Sequence, residues 1–135
     1  MKPVLVDSNV ILDVASGDPV WSEWSKGALL QAAESAILVI NPIVYAEVSI
    51  GYERIEELEE ALPPDLYRRE PLPYEAAFLA GKSYLAYRRR GGKRALPLPD
   101  FYIGAHAAIA DYRLLTRDAA RFHTYFPTVE LIVPR

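Results

Sequence analysis

Short apolar runs recur along the chain, separated by stretches whose apolar positions follow helical spacing. Residues 3–6, Pro3-Val4-Leu5-Val6, run apolar into a carboxylate, Asp7. A run without polar alternation suits a strand covered on both faces, as in a parallel sheet. Residues 36–40, 114–116 and 129–133 read as further strands, and 66–70 as a brief edge strand because Pro71 and Pro73 flank its end. Between them the spacing predicts helices. The first covers 9–14, and the second covers 21–34, with Trp21, Trp24, Ala28 and Ala32 along one stripe. A third runs through Glu47 to about Ile50, with Asn41 as N-cap and Pro42 at its first position. Residues 53–61 form a short acidic helix stopped by Pro63-Pro64. Residues 73–90 form a long one, with Pro73 at its first position and Arg88-Arg89-Arg90 ahead of Gly91 at its end. After a loop over 91–99, helices follow at 100–110 and 119–125. Strands alternating with helices imply an α/β layer fold around a mainly parallel sheet, and 135 residues suit one domain, 1–135. In such sheets ligands collect beyond the carboxyl ends of the strands.

Composition narrows the chemistry. The chain has no cysteine and two histidines, His106 and His123, so thiolate sites, disulfides and histidine-rich zinc sites are excluded. No apolar stretch approaches the roughly 20 residues of a membrane span, and the first residues do not form a signal peptide. A cytoplasmic location is therefore expected. The net charge of -3 conceals a division: residues 1–65 carry 12 acidic and 3 basic side chains, and residues 66–135 carry 6 acidic and 12 basic ones. Such asymmetry points to a polyanion or a charge-matched protein partner, against the plainer reading of charges scattered over a solvated surface.

Four carboxylates stand where chemistry is expected. Asp7 closes the first strand, and Asp118 follows the strand ending at Thr116, so neighbouring strands would bring the two to one sheet edge. Glu47 lies on a helix whose other residues (Ile43, Val44, Ala46, Val48, Ile50) are apolar nearly all round, which predicts a buried helix and a carboxylate needing an arginine or a cation. Asp100 opens a small-residue helix. Plain helix capping remains open for Asp7, Asp100 and Asp118, and Ser8 and Asn9 offer polar support. If the four converge, like charges prevent all of them from ionising without a cation. Mg²⁺ or Mn²⁺ suits an all-oxygen site, activating water for attack on a phosphodiester. Lys82, Arg88, Arg89, Arg90, Lys93 and Arg94 form a basic stretch that singly reads as a solvated helix terminus and as a cluster suits an RNA backbone, with Tyr84 and Tyr87 near enough to offer stacking surfaces.

Four segments in order carry a family resemblance over essentially the whole chain. They are Val6-Asp7-Ser8-Asn9, Asn41-Pro42-Ile43-Val44-Tyr45-Ala46-Glu47, Pro99-Asp100-Phe101-Tyr102-Ile103-Gly104-Ala105, and Leu115-Thr116-Arg117-Asp118 followed by Phe122. Together they resemble the PIN-domain ribonucleases, specifically the VapC-type toxins of toxin–antitoxin pairs. The resemblance implies a three-layer α/β/α fold with a five-stranded parallel sheet and a Mg²⁺- or Mn²⁺-dependent endoribonuclease. It implies Asp7 and Asp100 as direct metal ligands, with Glu47 and Asp118 completing the pocket or holding water and a second ion. Asn9 and Thr116 match supporting polar positions. The resemblance also implies a homodimer silenced by a cognate antitoxin, an interface to which Trp21, Trp24, Tyr45 and Tyr52 would contribute if they do not serve core packing. His106 replaces a small or hydroxyl residue common in relatives and reads as a packed or capping histidine; His123 has no assigned role.

Other readings fit less well. A phosphatase of the haloacid dehalogenase type needs a second Asp two residues after the first, where this chain has Asn9. A phospho-receiver domain needs an Asp after its third strand and a Lys near its last, and neither is evident. The alternative kept open is a catalytically silent PIN-like module that binds RNA or a protein partner.

Overall fold

The computed structural model describes residues 1–91 and 97–135. Five short strands, β1 (Val4–Val6), β2 (Leu38–Ile40), β3 (Tyr67–Arg69), β4 (Arg113–Leu115) and β5 (Leu131–Ile132), form one sheet in the order β3-β2-β1-β4-β5. Every pairing is parallel, with Val4 opposite both Leu38 and Arg113, and Val6 opposite Leu115. The expected α/β/α architecture with its parallel sheet is therefore present. The residues of β1 and β2 are buried, as unalternated apolar runs require, and β3 is an edge strand with only Tyr67 buried.

The described helices are α1 (Ser8–Ser16), α2 (Ser22–Ser35), α3 (Pro42–Ser49), α4 (Ile55–Ala61), α5 (Tyr74–Arg89), α6 (Leu98–Ala110) and α7 (Ala119–His123). Helix α1 packs on α2, and α5 on α6. No helix of the described residues is long and apolar enough to cross a membrane. Asn41 caps α3 as expected, its Oδ1 accepting the Val44 N–H at 2.9 Å ahead of Pro42. Gly91, at φ 77°, follows the cationic last turn of α5.

Two helix starts differ from expectation. Pro73 is the N-cap of α5 rather than its first helical residue. Helix α6 begins at Leu98, with Pro97 as N-cap, so Asp100 lies within the first turn instead of opening the helix. Proline suits the residue just outside a helix as well as the first one inside, because its missing N–H costs nothing at either place.

Gly104 on α6 is required by a close approach. A β-carbon there would overlap the ring of Phe126, which is buried and edge-on to Phe101. That contact seats α6, and with it Asp100, against the segment following α7.

Strand order sets the location of any ligand site. The chain moves from β1 outward to β2 and β3, then returns to β4 on the other side of β1. The direction reverses between β1 and β4, and the crevice beyond their carboxyl ends is where doubly wound sheets bind ligands. Asp7 immediately follows β1, and Thr116, Arg117 and Asp118 follow β4.

Candidate active site

The main chain fixes Asp7 at this crevice, since its N–H donates to the Leu115 carbonyl at 2.9 Å and so ties the end of β1 to β4. Asp7 occupies the N-cap position of α1 and Asp118 that of α7, yet neither side chain makes a capping bond. Capping by these two acids is thus not realised. Asp7 Oδ2 instead accepts the Thr116 hydroxyl at 2.8 Å, and Thr116 Oγ1 accepts the Asp118 N–H at 3.2 Å. Asn9 Nδ2 lies 3.5 Å from the same hydroxyl, and Asn9 Oδ1 is buried with no partner among the described residues.

Glu47 differs from its expected surroundings. Only Val44 and Val48 of α3 are buried; Glu47 is half-buried and Ile50, just beyond, is exposed. The helix is short and lies at the rim of the sheet, so one apolar stripe suffices to dock it and the rest faces outward. Among the described residues Glu47 has no arginine partner. Its Oε1 accepts the Ser8 hydroxyl at 2.8 Å, which joins α3 to the residue after Asp7.

Asp7 and Asp100 are almost fully buried, and the charges around them are unbalanced. Burial pushes the Asp7 carboxyl up to about 6; the Thr116 hydrogen bond opposes the shift, and the charges of Asp100 and Glu47 add to it. Asp100 also reaches about 6, again chiefly through burial, with Arg121 opposing and Glu47 and Asp118 adding. Asp7, Glu47 and Asp100 therefore share one field, into which Asp118 enters beside Asp100.

Two residues without a role in the sequence reading organise this region. Arg121 spans two of the acids: Nη1 meets Asp100 Oδ2 at 2.9 Å and Nε meets Asp118 Oδ2 at 2.7 Å. Its placement three residues after Asp118 on a predicted helix was the available signal. Buried Asp13 on α1 accepts Arg117 Nε and the Ser25 hydroxyl, both at 2.9 Å, while the Arg117 guanidinium lies 5.4 Å from the Trp21 ring centroid. This network anchors the Thr116–Asp118 turn to α1 and α2 and directs Arg117 toward Asp13. Among the described residues, no three acidic or histidine side chains lie close enough together to hold a metal ion in the present arrangement.

The basic end of α5 lies beside the first turn of α6. Phe101 stands 5.5 Å from Tyr84 and 5.6 Å from Tyr87, centroid to centroid. Arg88, Arg89 and Arg90 are exposed just beyond, and the Arg90 guanidinium lies 5.7 Å from the Tyr125 ring centroid. Lys93 and Arg94 lie outside the described residues. Tyr84, half-buried, and Tyr87, buried, both pack into the aromatic cluster around Phe101. His106 is wholly buried with Nδ1 2.9 Å from Asn41 Nδ2, and burial lowers its pKa, so it packs as a neutral ring.

Comparison with protein-family models matches residues 4–125 to the PIN domain. A search of curated protein sequences finds no match. Among solved structures, VapBC2 from Rickettsia felis bound to a DNA fragment from its promoter superposes with a TM-score of 0.75 at 17% identity, covering 98% of this chain and 99% of that one. FitAcB from Neisseria gonorrhoeae gives 0.71 at 21% identity, covering 96% of each. DNA-bound VapBC from Salmonella typhimurium gives 0.73 at 16% identity, covering 98% of each. With the family match spanning nearly the whole chain, and the reversal between β1 and β4 setting acids at the sheet edge, the protein belongs to the PIN domain family.

Proposed function

We propose that the protein is a Mg²⁺- or Mn²⁺-dependent endoribonuclease that serves as the toxin of a toxin–antitoxin pair. The observation that carries this reading is the set of carboxylates around the switch point: Asp7 tied to Thr116, Glu47 to Ser8, and Asp100 and Asp118 to one guanidinium, with burial and then neighbouring acids raising Asp7 and Asp100 to about 6. Buried like charges are costly unless a proton or a cation relieves them.

The residues fit a hard divalent ion. Every candidate ligand atom near the crevice is an oxygen, Asp7 and Glu47 have no cationic partner among the described residues, and Asn9 Oδ1 is buried without a partner among them. Asp7 and Asp100 would hold the ion, with Glu47 and Asp118 completing the pocket. Bound there, it would supply Lewis acidity that lowers the pKa of water and stabilises charge at a phosphodiester.

The chain's own residues do the positioning. Thr116 orients Asp7 by donating to Oδ2, Ser8 orients Glu47 by donating to Oε1, and Asn9 buttresses Thr116. Exposed Arg88, Arg89 and Arg90 beside the turn that carries Asp100 would draw in the phosphate backbone, with Lys93 and Arg94 continuing that stretch in sequence.

The toxin role rests on the fold shared with VapBC complexes and on surface features suited to a partner. Tyr45, Tyr52, Ile55 and Leu58 line a groove of about 330 Å³ between α3 and α4, suited to an antitoxin segment. Exposed Tyr74, Phe78 and Leu85 run along α5, a face suited to homodimer contact. Expression in a bacterial host should arrest growth and fragment cellular RNA, and Asp100→Asn should relieve both. Arrest by the variant equal to that of the parent would remove the proposed site.

A further inference from the structure

The space between Asp100 and Asp118 already holds a positive group. Arg121 presents two arms of a single guanidinium to two different carboxylates, at 2.9 and 2.7 Å. The planar fork of arginine offers separate N–H groups, in fixed directions, to the two carboxylates. The Asp118 contact is local, three residues away on one short helix, whereas the Asp100 contact joins α6 to α7.

Exposure shows which partner can move. The Asp100 side chain is 7% exposed, while Arg121 and Asp118 are each 37% exposed. The arginine therefore enters from the solvent side and can leave without opening the core. Asp100 cannot follow, because it sits in the first turn of α6, whose seat is fixed by Gly104 against Phe126.

We propose that Arg121 is the resident counter-cation of the acidic pocket, the group that a divalent ion must displace, so that it sets the pocket's affinity for metal. This rests on the reading of the pocket as a divalent-cation site. A dication bound to Asp100 would stand a few ångströms from a guanidinium that holds the same carboxylate, and like charges at that spacing repel strongly when partly shielded from water. The guanidinium relieves Asp100 in the metal-free protein, keeps its carboxylate from turning toward Asp7 and Glu47, and gives way when the ion arrives.

The test is Mn²⁺ titration of RNA-free protein, followed by electron paramagnetic resonance, for the parent, Arg121→Gln and Arg121→Lys, with Asp7→Asn as the control for binding in this pocket. Arg121→Gln should bind Mn²⁺ more tightly by on the order of tenfold, and Arg121→Lys, which keeps the charge, should bind much as the parent does. Without metal, Arg121→Gln should melt below the parent, and saturating Mn²⁺ should close the difference. Unchanged or weaker Mn²⁺ binding in Arg121→Gln would overturn the proposal, as would Arg121→Lys binding as tightly as Arg121→Gln. Cleavage of RNA by the same samples separates this from the nuclease reading. Tighter Mn²⁺ binding without cleavage by any of them would sink the nuclease and leave the Arg121 assignment standing. Mn²⁺-dependent cleavage with unchanged affinity would do the reverse.

Discussion

Replacing Asp7 by Asn should stabilise the metal-free protein at neutral pH and have little effect in acid. The Asp7 carboxyl is pushed from 3.8 up to about 6, first by burial and then by the charges of Asp100 and Glu47, against the Thr116 hydrogen bond. A group whose folded pKa exceeds its unfolded one stabilises the fold fully below the unfolded value and loses that contribution as pH rises through the folded value. For Asp7 the contribution is present below about pH 4 and gone above about pH 6. A shift of about two units corresponds to about 3 kcal/mol. Asparagine keeps the shape and can still accept the Thr116 hydroxyl, but carries no charge to bury. The Asp7→Asn variant should therefore gain on the parent by up to about 3 kcal/mol between pH 4 and pH 8, on the order of 10 °C in Tm for a chain of this size. Thermal melts by circular dichroism in chelator, at intervals across that range, read the difference directly. Asp100, shifted the same way, remains in both proteins and does not cancel the trend. A parent–variant gap that is constant with pH, or one in which the parent gains as pH rises, would refute the reasoning.

Three further outcomes rest on particular residues. Gly104→Ala should destabilise by about 1–2 kcal/mol in urea denaturation, because overlap with the Phe126 ring outweighs the helix propensity gained. Asn41→Ala should cost about 1–2 kcal/mol by the same measurement, since Asn41 both caps α3 through the Val44 N–H and bonds the buried His106. Joint replacement of Arg88, Arg89 and Arg90 by Ala in the Asp7→Asn background should weaken RNA binding in fluorescence anisotropy. It should also flatten the salt dependence, by about 0.7 in log–log slope for each phosphate no longer neutralised; an unchanged slope would place the RNA elsewhere.

What could be read from the chain follows physical locality. The apolar runs of β1 and β2 are buried on both faces, so they carry their own evidence for a parallel sheet, and Asn41-Pro42 announces α3 through groups that meet within three residues. That Asp7 and Asp118 share one sheet edge was legible only on the condition that β1 and β4 are neighbours, and that condition holds. Glu47 sits in wetter surroundings than its neighbours suggest, because an apolar composition does not say how much of a short helix the fold has room to cover. Arg121 had a signal in its three-residue spacing from Asp118, but the pairs Arg121–Asp100 and Arg117–Asp13 had none: they lie 21 and 104 positions apart, and no period connects them. These pairs also revise the charge division. Arg68, Arg69, Arg117 and Arg121 of the basic half are engaged with Glu70, Glu59, Asp13, Asp100 and Asp118, so these four do not count toward a free positive surface.

On the proposed function, the carboxylates at the β1–β4 switch point would hold a divalent ion on which RNA cleavage depends. The decisive experiment incubates purified protein with end-labelled RNA in Mg²⁺, Mn²⁺ or chelator, with Asp7→Asn and Asp100→Asn alongside. The parent should give discrete cleavage products in either metal and none in chelator, and neither variant should cut under any condition. Cleavage that persists in chelator or in either variant, or a pure and folded parent that cuts no RNA in either metal, would contradict that function.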